Sequence, residues 1–307
     1  SFIKLAKATN AKAVLVANPF VAQDDDIILM IKELYKNNIE IIGVELGSEL
    51  SNRSYFLKGY TIDDYLVFAQ RCSKRIKTEF PELKTAIVAA PLGKRKGHRH
   101  NVWNTRLAEM DFYDAIIIHS YAKVIQGKTL AGQMVYEEIE GENNKEKFDL
   151  YKSRALNYLH FEYADEVQQY IAIYNKPIWV TEWNLQISKT TGNTLFQSLF
   201  VSQYTLEVLS NPFFSSIELA TYHNLGGRDF SGSIFRNNKS NMEIQSTYFP
   251  MTLVGKIFED SVTNIISTRI QDVFTYKCYD KYGKERLIYR LDWDSNRFTC
   301  IYNILDS

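Results

Sequence analysis

The sequence predicts an α/β fold built on a parallel sheet and followed by a short antiparallel β module. Short runs of apolar and β-branched residues alternate six times with longer helical patterns, and after Glu259 the pattern changes to hairpins. Strands that alternate with helices pair in parallel and are buried on both faces. A (β/α)8 TIM barrel takes about 250 residues. The six units therefore predict such a barrel without its first two strands over residues 1–260, and a C-terminal β-strand module over 261–307.

Each predicted strand is a nearly continuous hydrophobic run bounded by helical patterns. The six runs cover residues 13–17, 40–46, 85–90, 115–119, 177–182 and 217–222. Two helices carry clear start signals, which are negative charge from Asp24 onward and a Thr61–Asp64 capping box. Further helices are predicted over 149–174, 194–210 and 246–259. The strands of the β module are predicted over 265–270, 273–279, 286–293 and 298–304.

The composition is that of a globular protein with a full core, with 45% hydrophobic and 23% charged residues. Lys and Arg number 36 and balance 36 Asp and Glu, so no overall field would recruit nucleic acid or a membrane surface. The sequence has neither a Gly-x-Gly-x-x-Gly nor a Walker motif, which removes the main support for a dinucleotide or P-loop fold. Its three cysteines are too few and too scattered for a disulfide framework or a zinc site.

Two carboxylates follow predicted strands where a barrel carries its active site. Glu49 comes just after the second predicted strand, and Glu182 ends the fifth. The loops after the strands build the active face of a barrel, and glycoside cleavage needs two acids there, one protonated and one ionised. For either residue alone, a helix N-cap or salt-bridge role is more ordinary. The pair together favours glycoside chemistry, with the carboxyls about 5–5.5 Å apart for a retaining mechanism.

These strand ends resemble the signatures of clan A glycoside hydrolases, most nearly families 39 and 51, the xylosidase- and arabinofuranosidase-like retaining enzymes. The resemblance covers roughly residues 1–260 and rests on three motifs: Glu-Leu-Gly-Ser-Glu at 45–49, His-Ser-Tyr at 119–121 and Thr-Glu-Trp-Asn at 181–184. It implies that Glu182 is the nucleophile and Glu49 the acid/base. It further implies that no cofactor or metal is required, and that the protein is extracellular or periplasmic.

The resemblance also implies a set of substrate-binding residues. Tyr121 is expected to hydrogen-bond the nucleophile, and His119 to line a sugar subsite. Trp183 and Tyr222 are the candidates for stacking on sugar rings, with a place in the core as the alternative for either. Trp103 and Trp179 are expected in the core on the residues alone. The remaining expected contacts at the ends of strands are Asn18, Ser48 and His223.

One departure from the family pattern leaves alternatives open. The residue before the acid/base is usually Asn, and here it is Ser48, whose shorter hydroxyl would reach a sugar through water. The change is compatible with reduced activity, with a different sugar, or with a non-catalytic carbohydrate-binding barrel. A further alternative is another α/β hydrolase or lyase that uses His119 as its base.

A basic run follows the third predicted strand. Its cations are Lys94, Arg95, Lys96 and Arg99. Nearby His98 and His100 lack the Cys or carboxylate partners of a metal site. The ordinary interpretation is that this loop is simply solvated. The more specific interpretation is that the loop lies on the active face and binds an anionic sugar. The expected partner is therefore a carbohydrate, possibly an anionic one.

Overall fold

The computed structural model describes residues 2–20, 24–93, 95, 97–125, 127–128, 134–135, 144–227, 232–238 and 241–302. The described α-helices are α1 (Phe2–Thr9), α2 (Asp24–Lys36), α3 (Arg53–Phe56), α4 (Ile62–Glu79), α5 (Arg99–Ala108), α6 (Asn144–Asn157), α7 (Tyr163–Tyr174), α8 (Leu195–Ser210) and α9 (Tyr248–Glu259). A π-helical stretch, Tyr158–Glu162, joins α6 to α7, and a short 3-10 turn covers Pro212–Phe214.

The described part of the chain contains fifteen strands, and one or two helices separate successive strands up to β4. They are β1 (Ala13–Val16), β2 (Ile41–Leu46), β3 (Lys84–Val88), β4 (Ala115–Ala122), β5 (Gly127–Lys128), β6 (Met134–Val135), β7 (Ile178–Leu185), β8 (Ile217–Tyr222), β9 (Gly226–Gly227), β10 (Phe235–Asn238), β11 (Asn241–Ile244), β12 (Val262–Ile270), β13 (Val273–Asp280), β14 (Glu285–Asp292) and β15 (Arg297–Tyr302).

Within the described residues, the parallel sheet has six strands in the order β1-β2-β3-β4-β7-β8. A separate antiparallel sheet follows in the order β12-β13-β14-β15. Short strands form two smaller sheets, β5-β6 and β11-β10-β9. The predicted fold class, strand–helix units of a barrel followed by an antiparallel β module, is confirmed.

Two strands are longer than their hydrophobic runs predicted. β4 continues to Ala122 and β7 to Leu185. Their last residues include polar side chains, so the continuous apolar run ends before the strand does. As a consequence, Tyr121 lies within a strand rather than after it, and Glu182 lies in the interior of a strand rather than at its last residue. The helix predicted over 149–174 starts earlier, at Asn144, and is interrupted by the π-helical stretch.

The chain divides into two units. The first contains Ser1–Ile118, Gln169–Thr181 and Ser216–Leu219, and the second contains His119–Gln168, Glu182–Ser215 and Ala220–Ser307. Three strands of the parallel sheet, β4, β7 and β8, therefore pass from the first unit into the second. Because both units contain residues before 260, this division does not test the predicted domain boundary there, which stays a prediction.

The first unit has a core of strand residues buried on both faces of the sheet. Val44, Ile87 and Ile116 are each fully buried. Gly43 allows close packing in this core, because a Cβ there would lie 2.3 Å from the Trp179 ring. Trp179 is itself fully buried, and Trp103 is nearly so. The packing role expected of these two tryptophans is confirmed.

The predicted capping box at the start of α4 is present. The Thr61 side chain accepts a hydrogen bond from the Asp64 N–H, and the Asp64 carboxylate accepts one from the Thr61 N–H at 2.8 Å. This pair satisfies two of the backbone donors that a helix start otherwise leaves free. The helix ends at Glu79, just before Pro81.

The second unit contains α8, which is buried over most of its surface, and the four-stranded antiparallel sheet. The sheet buries Tyr276, Leu287 and Tyr289. None of the three cysteines, all of which are described, forms a disulfide. None of the described helices is long and apolar enough to cross a membrane.

Candidate active site

Glu49 lies three residues beyond the carboxyl end of β2, in the first unit. Its φ is 51°, in the left-handed region that residues other than glycine seldom adopt. Two residues earlier, Gly47 has a φ of 97°, and a Cβ there would lie 2.4 Å from Leu50 Cδ1. Glycine is therefore required at that turn. Backbone conformations of this kind are concentrated at functional sites, and here one presents an exposed carboxylate.

The loop that Glu49 begins also holds its carboxylate. Asn52 Nδ2 donates to Glu49 Oε2 at 2.7 Å, and the Asn52 N–H donates to the Glu49 carbonyl at 2.9 Å. Beneath the loop, the buried Tyr65 hydroxyl donates to the Leu46 carbonyl at 2.8 Å and accepts from the Val88 N–H at 2.7 Å. These contacts fix the carboxyl ends of β2 and β3, from which the loop extends.

Two of the predicted substrate-binding residues follow strands of the first unit. Ser48 directly precedes Glu49 and is partly exposed. Asn18 follows β1 and is exposed, and its Oδ1 accepts a hydrogen bond from the Phe20 N–H at 2.9 Å. This bond shapes the turn after β1. Their roles toward a substrate stay predictions.

Glu182 lies on β7, in the second unit, and its side chain is 29% exposed. The Tyr121 hydroxyl on β4 donates to Glu182 Oε2 at 2.6 Å. His119, two residues earlier on the same face of β4, places Nδ1 3.6 Å from that oxygen. The contact expected between Tyr121 and Glu182 is therefore present. One oxygen of the carboxylate is fixed by a phenol and lies beside an imidazole.

The end of β8 supplies a third group of predicted residues. The His223 ring meets the Tyr121 ring edge to face, with centroids 5.9 Å apart. Tyr222 lies edge-on to Trp183 at 5.0 Å, and burial raises the pKa of its hydroxyl to about 12. Trp183 is only 3% exposed and stacks on Tyr204 at 4.1 Å. Its ring is used in packing, which leaves little surface to stack on a sugar.

Asn184 is a further polar residue of this region, and it is not among the site residues predicted from the sequence. It is 1% exposed, and its Nδ2 donates to the His223 carbonyl at 2.6 Å and to the Tyr222 hydroxyl at 3.1 Å. Its Oδ1 accepts from Gln197 of α8 at 3.2 Å. Asn184 thus holds the end of β8 against β7. The sequence position could have indicated this residue, because Asn184 is two residues from Glu182 and therefore lies on the same face of the strand.

Arg99, one of the cations of the basic run, makes contacts within the protein. Arg99 donates to the Ser51 carbonyl, and its guanidinium lies 5.3 Å from the centre of the Phe56 ring. Lys94 and Lys96 lie outside the described residues. The preference for an anionic sugar stays a prediction, and Arg99 is already engaged by contacts within the protein.

The chain matches no family model, and no curated protein matches it in sequence. Solved structures do resemble it. The α-L-arabinofuranosidase from Thermotoga maritima, solved as an arabinose complex, matches with a TM-score of 0.64 and 14% identity. The GH51 arabinofuranosidase from Xanthomonas axonopodis pv. citri matches with a TM-score of 0.63 and 13% identity. A family 39 glycoside hydrolase from Bacteroides cellulosilyticus WH2 matches with a TM-score of 0.57 and 14% identity.

These matches extend over nearly the whole of this chain but not of the neighbours. Each covers 95% of this chain, compared with 63% of both arabinofuranosidases and 59% of the family 39 enzyme. At such low identity the likeness establishes the fold. The neighbours include both families that the strand-end motifs suggested. The chain therefore has the fold of the GH51 and family 39 glycoside hydrolases, over about three fifths of their length.

Proposed function

We propose that this chain carries the catalytic machinery of a retaining glycoside hydrolase that acts on a polysaccharide or its oligosaccharides. The observation that carries the proposal is the setting of Glu182 near the carboxyl end of a parallel strand. Tyr121 fixes one carboxylate oxygen at 2.6 Å, and the side chain remains 29% exposed. An oriented and accessible carboxylate is what a nucleophile of this kind requires. The fold shared with known glycoside hydrolases supports the same conclusion.

In the first step, the ionised Glu182 attacks the anomeric carbon while Glu49 donates its proton to the departing oxygen. The glycosidic bond breaks and a glycosyl ester forms on Glu182. In the second step, Glu49 takes a proton from water, which attacks the same carbon and releases Glu182. Two inversions give net retention. Tyr121 and His119 keep Glu182 oriented through both steps.

The sheet topology supports a joint role for the two acids. β2 and β7 belong to one parallel sheet, and the carboxyl ends of the strands in such folds form the active face. The left-handed backbone and the Asn52 hydrogen bond prepare Glu49 for a defined position. The mechanism requires the two carboxyls to lie about 5–5.5 Å apart.

Hydrolysis of a panel of aryl glycosides by purified protein tests the proposal. We expect Glu182→Gln to lower kcat by about a thousandfold or more, because the amide keeps the shape but cannot attack. We expect Glu49→Gln to lose much more activity toward glycosides of poorly acidic phenols than toward dinitrophenyl glycosides. A dinitrophenolate departs without a proton and therefore does not need the acid.

Glu40→Gln is the matched control. Glu40 lies just before the amino end of β2 and is exposed, and its ion pair with Lys12 is on the surface, so its loss should leave activity unchanged. Wild-type protein that binds glycans but hydrolyses none of the panel would support the alternative, a non-catalytic carbohydrate-binding barrel. Equal activity in wild type and Glu182→Gln would overturn the nucleophile assignment.

A further inference from the structure

A partly exposed group of aromatic rings, which we call the Phe20 patch, lies in the first unit and comprises the exposed Phe20 and the half-buried Tyr55 and Tyr60. Phe20 stacks on Tyr55 with ring centroids 5.1 Å apart and planes inclined by 12°. It meets Tyr60 edge to face at 5.0 Å. Phe20 is nevertheless 51% exposed. Each ring orients the others, so the exposed aromatic surface is held in one arrangement before any ligand arrives.

The patch is joined directly to Glu49 through Asn52. The Asn52 side chain donates to the Glu49 carboxylate at 2.7 Å. Its carbonyl accepts from the Tyr55 N–H at 3.1 Å and from the Phe56 N–H at 3.2 Å. One residue therefore contacts the proposed acid/base with its side chain and begins the short helix that carries Tyr55. A ligand bound at Glu49 lies within about one helical turn of this helix.

The Phe20 side of the patch is fixed in the same way by the end of β1. The Asn18 side chain accepts from the Phe20 N–H and closes the turn that follows the strand. The other side is closed by the Tyr60 N–H, which donates to the Tyr55 carbonyl at 3.1 Å. Both sides of the patch thus follow carboxyl ends of strands, where the active face of this fold lies.

We infer that the Phe20 patch is a binding subsite for a sugar ring of a glycan chain that extends beyond the bond cleaved at Glu49. The inference rests on the proposed function and deepens it, because it assigns named aromatic residues to a subsite for that chain beyond the cleaved bond. A pyranose or furanose ring has an apolar C–H face that packs on an aromatic face, while its hydroxyls stay in water at the edge. A rigid, partly exposed and amphipathic ring cluster suits that ligand.

A protein partner fits the patch less well. Arg53, Ser54 and Lys58 lie among the aromatic residues on the same loop and are exposed, so the apolar surface is interrupted by polar groups. Stable protein interfaces need a large continuous apolar core. A compact cluster of three rings, with centroids 5.0–6.4 Å apart, is instead matched to one sugar ring of a glycan chain.

Electrophoresis of the purified protein through gels containing soluble arabinan, xylan or β-glucan measures the binding directly and needs no turnover. We expect at least one polysaccharide to retard the wild type. Phe20→Ala and Tyr55→Ala should each raise the apparent Kd for it about tenfold, or about 1.4 kcal/mol. Phe20→Tyr keeps the ring and should bind like the wild type. Phe2→Ala is the matched control, because Phe2 is 55% exposed on α1 of the same unit.

The outcomes separate this inference from the catalytic proposal. If the wild type hydrolyses aryl glycosides but Phe20→Ala and Tyr55→Ala bind polysaccharide as tightly as Phe2→Ala, the subsite is refuted and the catalytic proposal stands. If the wild type hydrolyses nothing but binding falls in both patch variants and returns in Phe20→Tyr, the subsite stands and the catalytic proposal falls. Wild type that binds none of the three polysaccharides also overturns the subsite.

Discussion

Two groups among the described residues act on the same oxygen of Glu182. Tyr121 and His119 both approach Oε2, so the orientation of the carboxylate is set from one side. The Tyr121 ring is in turn positioned by His223, whose carbonyl is held by Asn184. The buried Asn184 amide thus affects the orientation of Glu182, the proposed nucleophile, through His223 and Tyr121.

Tyr121→Phe tests this orientation at the level of one hydrogen bond. A hydrogen bond to a charged group is worth about 1.5–3 kcal/mol, so we expect kcat on aryl glycosides to fall about 10- to 100-fold. KM should change little, because the ring and its packing remain. Steady-state kinetics of Tyr121→Phe and the wild type provide the check. Tyr282→Phe is the control, because Tyr282 is 80% exposed. A fall in KM alone would contradict the role given to the hydroxyl.

At the scale of elements, the strands of the parallel sheet and helix α4 are stabilised by different interactions. β2 and β3 are fixed by the burial of most of their residues, whereas α4 begins at a polar capping box of two side chains. The helix also carries Tyr65, which contacts the ends of β2 and β3. The start of α4 therefore contributes to stability without touching either proposed catalytic acid.

Thr61→Ala removes one half of the capping box. Loss of such a cap destabilises a protein by about 1 kcal/mol, so we expect a lower urea midpoint with an unchanged slope. Thr61→Ser retains the hydroxyl and should recover most of the loss. Specific activity of the folded fraction should match the wild type in both variants. An Ala variant as stable as the wild type would mean that water replaces the cap at no cost.

At the scale of the whole molecule, the second unit contains a buried polar cluster between α8 and the antiparallel sheet. Glu207 of α8 accepts from the Tyr276 hydroxyl at 2.5 Å and from Gln203 Nε2 at 3.0 Å. His160 of the π-helical stretch places Nδ1 3.7 Å from the same carboxylate. The Trp293 ring N–H donates to Gln203 at 3.2 Å. Polar groups at this depth specify how helix and sheet pack.

This cluster predicts a pH dependence of stability. Burial lowers the pKa of His160 and Arg269 of β12 lowers it further, while Glu207 opposes the shift. The unfolded chain takes up a proton near pH 6.5 that the folded chain resists. The contribution of His160 to stability is therefore complete above about pH 6.5 and is lost as the pH falls through the lowered pKa.

We expect the wild type to lose more thermal stability between pH 7 and pH 5 than His160→Gln, whose amide does not titrate. Thermal unfolding across that range measures the difference. Parallel curves for the two proteins would show that protonation of His160 does not affect folding.

The sequence was sufficient for the fold class but not for the site. Strands of a parallel sheet form nearly continuous apolar runs, which is why β2, β3 and β8 could be located to within two residues at either end. β2 and β3 are mostly buried, as that pattern predicts, whereas the residues of β8 are partly or fully exposed. The ends of β4 and β7 do not form such runs, because they carry polar side chains such as Tyr121, Glu182 and Asn184 at buried or partly buried positions. Glu182 was selected by its motif, whereas Asn184 depends on carbonyls and amides distant in sequence. Trp183 was selected by residue type, and tertiary packing against Tyr204 decides its environment.

The Tyr65 hydroxyl acts as a spacer between two strands. Leu46 pairs with Ile87, so the next rung of a regular parallel ladder would run from the Val88 N–H to the Leu46 carbonyl. The phenol oxygen occupies that rung instead, accepting from one strand and donating to the other. β2 and β3 are thus held apart just before the turn to Glu49. Because burial raises the pKa of Tyr65, we expect the hydroxyl to keep its proton at a pH where an exposed tyrosine ionises, so that both hydrogen bonds and the separation of the two strands are retained there.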